Sequence, residues 1–175
     1  MRLCLICLVT LFVSCTFSGG NYSIKEPEVV PFVDLSRYVG IWYEISKYPN
    51  RFQEGCVGTS ATYTLREDGN VSVLNQCYEG SFKGKLKSAK GIAKVVDKKT
   101  NAKLKVSFFR PFYGEYWIID LDKDYEYAVV SNSERKYLWV LSREKTINEE
   151  TYLNILKRLE AKGFDINKLQ KTLHR

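Results

Sequence analysis

Beyond residue 40 the chain alternates apolar and polar residues over short stretches that turn-forming residues separate. A period of two is typical of β-strands, because successive side chains point to opposite faces of a sheet. The pattern predicts eight strands, over residues 40–47, 58–66, 70–78, 88–97, 103–110, 115–121, 125–131 and 136–143. The short connections between them favour an antiparallel meander. We therefore predict an all-β fold: an eight-stranded antiparallel up-and-down barrel with room inside for one small molecule.

The first predicted strand is crowded with residues that suit a pleated sheet. Alternation gives it two faces, with Trp42, Glu44 and Ser46 on one and Ile41, Tyr43 and Ile45 on the other. Because both faces carry apolar groups, the strand is expected to be covered on both sides. The carboxylate beside the tryptophan indicates an interior that is not purely apolar. A sandwich strand with a packing tryptophan is the alternative at this point.

One helix is predicted after the last strand. Asn148 is a good N-cap, the two glutamates after it suit the positive end of the helix dipole, and Gly163 favours termination. Apolar residues repeat at helical spacing between these signals, so one face should pack against the outside of the barrel. A short helical turn capped by Asp34 and a short strand within residues 169–173 complete the prediction.

Residues 1–14 are predicted to be a signal peptide. Their apolar run is shorter than the ~20 residues of a membrane-spanning helix. Residues 12–15 resemble a bacterial lipobox, with Phe12 where leucine is usual, so Cys15 is predicted to carry a lipid anchor such as palmitate. A plain secretory signal with an incidental cysteine is the alternative. Residues 15–31 are interpreted as the lipidated N-terminus and a linker with little that can pack, and residues 32–175 as one domain.

The formal charge of +7 changes this picture little. Most lysines are scattered, and a mild cluster is typical of a solvated strand face; attraction to anionic lipid headgroups is the alternative interpretation. The cluster contains Lys83, Lys85, Lys87, Lys90 and Lys94. No known nucleic-acid-binding module is recognisable, so no nucleic-acid partner is predicted.

The residues that could carry catalysis are few. His174 is the only histidine, and its position beside the C-terminus predicts a frayed tail. Without it no Ser-His-Asp set can be assembled, and no Cys-x-x-Cys or paired-histidine pattern indicates a metal. No glycine-rich phosphate loop is present. The sequence therefore predicts no enzyme, no metal site and no cofactor.

Two cysteines, Cys56 and Cys77, lie beyond the N-terminal segment. An exported protein meets an oxidising compartment, which favours a disulfide; two free thiols are the alternative. Regular pairing across a loop at residues 67–69 would place Cys77 opposite Thr59. A disulfide therefore requires a bulge or an irregular strand start.

Three motifs in order resemble those of lipocalins. They are GIWYE at residues 40–44, LDKDY at residues 121–125 and LWVLSR at residues 138–143. Residues 61–69 and 105–114 are similar to bacterial outer-membrane lipoprotein lipocalins, relatives of apolipoprotein D. The resemblance covers nearly all of residues 32–169 and includes the lipobox.

The resemblance implies a barrel closed at one end. Gly40, Trp42 and Arg143 would form its structural motif, with the indole packed on the guanidinium. It further implies a binding protein for fatty acids or lysophospholipids, which stores or transports them in connection with membrane maintenance. A homodimer is possible, and Thr16 after the lipidated cysteine implies the outer membrane, facing the periplasm.

Alternation also predicts which residues face the barrel interior. They are Ala61, Tyr63, Leu65, Val71, Val73, Asn75, Ala89, Gly91, Ala93, Val95, Leu104, Val106, Phe108, Tyr116, Ile118, Tyr137, Trp139 and Leu141. The predicted ligand-binding residues are Tyr63, Val73, Ala93, Val106, Phe108, Tyr113, Tyr116 and Trp139. Tyr113 is expected on a loop at the rim, where its hydroxyl could bind a carboxylate or phosphate. Plain core packing is the alternative for each aromatic residue.

Two other functions remain open at this point. A membrane-anchored barrel could hold a surface or a protein partner without carrying any ligand. Some lipocalins bind haem or other tetrapyrroles, but the lack of an internal histidine speaks against axial ligation.

Overall fold

A computed structural model describes residues 25–175. The predicted signal peptide, Cys15 and the first part of the predicted linker lie outside the described residues. Eight main strands follow one another: β1 (Gly40–Lys47), β2 (Cys56–Leu65), β3 (Val71–Glu79), β4 (Leu86–Val95), β5 (Lys103–Phe109), β6 (Phe112–Leu121), β7 (Tyr127–Ser131) and β8 (Leu138–Ser142). Each pairs antiparallel with the next.

The sheet closes on itself through β1. Its first half pairs with β2, with Gly40 opposite Tyr63, and its second half pairs with β8, with Tyr43 opposite Ser142. The predicted eight-stranded antiparallel barrel is confirmed.

Two helices flank the barrel. Helix α1 (Leu35–Tyr38) precedes β1 and is capped by Asp34, whose side chain accepts from the amide of Ser36. Helix α2 (Glu149–Ala161) is capped by Asn148, as the sequence predicts. Its buried side chains pack on the outer face of the sheet in one cluster, which includes Ile45, Val129, Val140, Ile155 and Leu159. A second cluster lines the barrel interior and packs around Trp42, so β1 is covered on both faces and the sandwich alternative is excluded.

A bulge in β1 changes the alternation that the sequence suggests. Glu44 lies opposite Leu141, whereas Ser46 lies opposite Val140, so Ile45 is an extra residue in the ladder. Ser46 therefore does not share the inner face with Trp42. Its hydroxyl accepts a hydrogen bond from Tyr152 of α2, at 2.9 Å, on the outside of the barrel.

The C-terminal tail is not frayed, contrary to the sequence-based expectation. Strand β9 (Gln170–Lys171) pairs with the end of β1, where β1 and β2 have diverged. Beyond it, the carbonyl of Leu173 accepts from the amide of Gly58, and a ring nitrogen of His174 lies 2.7 Å from the carbonyl oxygen of Glu44. The tail thus fills the seam between β1 and β2.

Residues 25–31, predicted as part of a flexible linker, lie against the barrel. The amide of Val30 donates to the carbonyl of Ile118, and Pro27 is buried. The guanidinium of Arg135 donates to the carbonyl of Lys25. The sequence-based interpretation missed this because the segment contacts the sheet through irregular backbone, which has no periodicity.

Cys56 and Cys77 form a disulfide, with their Cα atoms 5.5 Å apart. The register between β2 and β3 shifts between Val57 and Ser60, which supplies the bulge that the sequence argument required. Gly58 sits in this bulge with φ of +61°, and a Cβ there would approach the ring of Phe82 to 2.9 Å. A glycine is therefore needed at this position, both for the positive φ and for the lack of space for a Cβ.

Candidate functional site: the barrel cavity

One end of the barrel is closed by Trp42 and Arg143. The tryptophan is fully buried, and the guanidinium lies 3.8 Å from its ring centroid. Arg143 also donates to backbone carbonyls on three segments, including those of Arg37, Ile41 and Tyr125. These contacts tie the turn before β1 to the ends of β1 and β8, and burial lowers the pKa of Arg143.

Gly40 is required beside this closed end. Its φ is +100°, and a Cβ at this position would lie 3.2 Å from a guanidinium nitrogen of Arg143. The Gly-x-Trp motif therefore combines a backbone conformation with the space for the arginine.

Above the closed end lies a cavity of about 1220 Å³ that opens at the opposite end of the barrel. Pockets for drug-sized ligands typically measure ~300–1,000 Å³, so this one can accommodate a molecule of lipid size. The middle of the wall is mostly apolar; it includes Ala61, Val71, Val73, Ala93, Leu104 and Val106.

All eight predicted ligand-binding residues line this cavity: Tyr63, Val73, Ala93, Val106, Phe108, Tyr113, Tyr116 and Trp139. Their role in binding remains a prediction. Tyr113 is on β6 and not on a loop, because β5 and β6 are joined by a tight turn at residues 110–111. Four residues predicted on the inner face are absent from the cavity wall: Leu65, Gly91, Val95 and Ile118.

Three tyrosine hydroxyls meet on the cavity wall next to the closed end. Tyr38 and Tyr116 lie 2.8 Å apart through their hydroxyl oxygens, and the hydroxyl of Tyr116 donates to that of Tyr63 at 3.0 Å. Burial raises the pKa of Tyr63 to about 12, and it raises the pKa of Tyr38 and of Tyr116 well above the usual value. The three groups are therefore neutral hydrogen-bonding groups at physiological pH.

A polar network lines one side of the upper cavity. The buried carboxylate of Glu44 accepts from Lys47 at 3.2 Å, from Gln53 and from Thr172 of the tail. The carboxamide oxygen of Gln53 in turn accepts from the indole of Trp139 at 2.8 Å. The sequence indicated that Glu44 faces inward, but it gave no sign of these partners, because two of them lie on irregular segments.

The mouth of the cavity carries exposed aromatic side chains. Phe109 and Phe112 flank the β5–β6 turn and are 75% and 70% exposed, and Phe52, before β2, is 66% exposed. Lys85 and Lys87 line the same mouth from the start of β4. Large apolar side chains that face water in a group mark an interaction surface more often than isolated ones do.

Over residues 25–175, no three His, Cys, Asp or Glu side chains lie close enough together to bind a metal ion. Within the same residues, neither helix is long and apolar enough to cross a bilayer.

Comparison with known proteins agrees with the geometry. The lipocalin-like domain family matches residues 33–174. The outer membrane lipoprotein Blc of Escherichia coli K12 is 43% identical over 140 residues, which cover 80% of this chain and 78% of that protein. Temperature-induced lipocalin-1 of Arabidopsis thaliana is 41% identical, covering 85% and 83%. Mouse apolipoprotein D is 36% identical, covering 90% and 87%.

Among solved structures, insecticyanin from the tobacco hornworm Manduca sexta superposes with a TM-score of 0.68 at 22% identity, covering 85% of this chain and 86% of that one. This likeness concerns the fold alone. The family match covers residues 33–174, and the structure shows the barrel and the Trp42–Arg143 closure. The chain therefore belongs to the lipocalin family.

Proposed function

We propose that this lipocalin binds fatty acids or lysophospholipids in its barrel and stores or transports them at a membrane. Lipocalins bind small hydrophobic ligands. The observation that carries the finer proposal is the open cavity of about 1220 Å³ with an apolar middle. Each methylene group of an acyl chain buried there would stabilise the complex by ~0.8 kcal/mol, before the cost of ordering the chain.

The two ends of the cavity differ in a way that suits such lipids. Lys85 and Lys87 are the only cationic side chains among the described residues that line the cavity, and both are at its mouth. Lys87 is paired with Glu79 at 2.6 Å, and Glu115 and Glu134 also line the cavity. Lys85 is therefore the cation that a carboxylate or phosphate headgroup would meet there, close to water, while the acyl chain lies below among apolar side chains. This polarity supports binding, and not catalysis, as the role of the cavity.

A membrane location is part of the proposal. The relatives named Blc are outer membrane lipoproteins, and Cys15 lies where a lipidated N-terminus would be expected. The aromatic mouth supports loading and release of lipid at a bilayer, since aromatic and apolar side chains partition into membrane interfaces. We place the protein on the outer membrane, facing the periplasm. A homodimer stays a prediction.

The experiment is a binding titration with a fatty acid and with a lysophospholipid, combined with mass spectrometry of lipid extracted from the purified protein. The test variant is Ala93→Trp, because Ala93 is buried on the cavity wall opposite Val71 and Val106. The control is Lys105→Trp, which adds the same ring to the exposed outer face of β5.

Micromolar binding that only Ala93→Trp abolishes would support the proposal. If the native protein carries no acyl lipid and binds none at micromolar concentration, the carrier function is wrong. A physiological role that survives Ala93→Trp would instead favour the structural or interaction role.

A further inference from the structure

The tyrosine cluster next to the closed end has one more hydroxyl proton than the hydrogen bonds within the cluster require. Tyr38, Tyr63 and Tyr116 carry three hydroxyl protons, but two hydrogen bonds join them. Since Tyr116 donates to Tyr63, Tyr38 donates to Tyr116, and the hydroxyl proton of Tyr63 is left over. It has no acceptor among residues 25–175.

This unused donor lies in apolar surroundings. All three tyrosines line the cavity, together with Ala61, Val73 and Leu104. The raised pKa of Tyr63 means that the proton stays on the oxygen at physiological pH. A donor buried without an acceptor costs free energy, and an acyl chain that ended against it would leave that cost in place.

A second unused polar atom lies higher on the same wall. The side-chain oxygen of Asn75 is buried and has no hydrogen-bond partner within the described part of the chain. Asn75 lies opposite Ala61 on β2, and Tyr63 follows Ala61 by two residues on the same face, so the two positions are ~7 Å apart along the barrel. The cavity therefore presents a free donor deep inside. One step nearer the mouth is the Asn75 carboxamide, whose oxygen is shielded from the cavity in the free protein and becomes an acceptor when the side chain turns toward a ligand.

We propose that the cavity selects lipids whose buried chain carries a neutral oxygen group, such as a hydroxy or keto fatty acid. This inference rests on the proposed function and specifies its ligand class. A hydroxyl can accept from Tyr63 and donate to Asn75, whereas a ketone can only accept. A carboxylate is not suited to the deep position, because the cationic side chains of the cavity wall are at the mouth.

The test compares the Kd of octadecanoic acid with the Kd values of hydroxyoctadecanoic acids, and of the matching keto acids, that carry the oxygen at positions from mid-chain to the chain end. Each is measured on the wild-type chain, on Tyr63→Phe and on Asn75→Leu. The readout is the ratio of the two Kd values within one protein, so general changes in affinity cancel. Tyr127→Phe is the matched control, because Tyr127 contacts Arg158 on the outside of the barrel.

For at least one positional isomer we expect Tyr63→Phe to shift this ratio about fivefold against the hydroxylated acid, the effect of one neutral hydrogen bond. Asn75→Leu should give a similar shift for a hydroxy acid and none for the matching keto acid. Removing Tyr63 frees the proton of Tyr116, and removing both frees that of Tyr38, so the triple variant Tyr38→Phe/Tyr63→Phe/Tyr116→Phe is included, and its shift should be at least as large. Thermal unfolding verifies that each variant is folded.

The outcomes separate the two proposals. If all acids bind and no variant changes the ratio for any isomer, the preference for oxygenated chains is overturned while the carrier function stands. If no acid binds the wild-type chain, the carrier function itself fails.

Discussion

At the scale of single residues, this barrel buries more polar groups than its apolar wall suggests. Arg143, Glu44 and the tyrosines are each held by specific partners: backbone carbonyls, side chains of the seam, or one another. Such groups are tolerated inside because their hydrogen bonds offset the loss of water. A change in the protonation state of the buried tyrosines therefore changes the stability of the fold.

The buried tyrosines predict a loss of stability in alkali. The pKa of Tyr63 is about 12 in the folded protein, against ~10 for an unfolded chain. The stabilisation is fully present below pH 10 and is lost as pH rises from 10 through 12, because the unfolded chain releases its proton first. Over that range the free energy of unfolding should fall by about 1.4 kcal/mol per pH unit for each such tyrosine.

Denaturant unfolding of the wild-type chain and Tyr63→Phe between pH 8 and 11.5 measures this loss. The difference in free energy between the two proteins should be constant up to pH 10 and shrink above it. If the two plots of unfolding free energy against pH stay parallel up to pH 11.5, Tyr63 ionises equally in the folded and the unfolded protein.

At the scale of elements, the sequence predicted well what depends on local periodicity. The strands agree with their predicted ranges to within a few residues, and the capping of α2 by Asn148 is confirmed. What it missed depends on bulges and irregular backbone. The bulge at Ile45 exchanges the faces of the residues after it, and alternation alone cannot locate such a residue, because the pairing with β8 places it.

The candidate site was predictable to the same extent. The inward aromatic residues follow from strand alternation, so Tyr63, Tyr116 and Trp139 could be identified. Tyr38 could not, because it belongs to the turn of helix before β1 and reaches the cavity only when α1 folds against the barrel. Thr172 was missed for a similar reason, since its place beside Glu44 depends on a strand of two residues.

The C-terminal tail is predicted to stabilise the seam between β1 and β2. Deleting residues 172–175 removes the hydrogen bonds of Thr172 to Ile45 and Glu44 and that of Leu173 to Gly58. At about 1 kcal/mol for each bond, the free energy of unfolding should fall by about 2–4 kcal/mol. The emission of Trp139 should also change, since it is linked to Glu44 through Gln53.

The matched control deletes Arg175 alone and leaves these hydrogen bonds in place. Denaturant unfolding and tryptophan fluorescence compare the two truncations. Equal stability, within about 0.5 kcal/mol, would mean that the seam holds without the tail.

At the scale of the whole molecule, the two ends of the barrel have opposite characters. One end is shut by Trp42, Arg143 and α1, and the other is open and ringed by Phe52, Phe109 and Phe112. Among residues 25–175 the cavity opens at this end, so the direction that it faces decides with what the barrel exchanges lipid. Exposed lysines beside the aromatic rings favour an anionic surface over a neutral one.

We therefore expect the mouth to bind anionic vesicles without the help of an N-terminal anchor. The test uses the unlipidated chain from residue 16 and vesicles of phosphatidylcholine with or without phosphatidylglycerol. The variant Phe109→Ser/Phe112→Ser should lower the partition coefficient by about tenfold or more, since each ring loses its apolar burial. The control Phe32→Ser/Leu153→Ser changes two exposed apolar residues away from the mouth and should leave binding unchanged.

Raising the salt concentration should weaken binding of both wild-type and control protein, because the lysine contribution is screened. Equal loss in the two double variants would mean that contact is not made through the mouth, and the barrel would then have to take its lipid from solution.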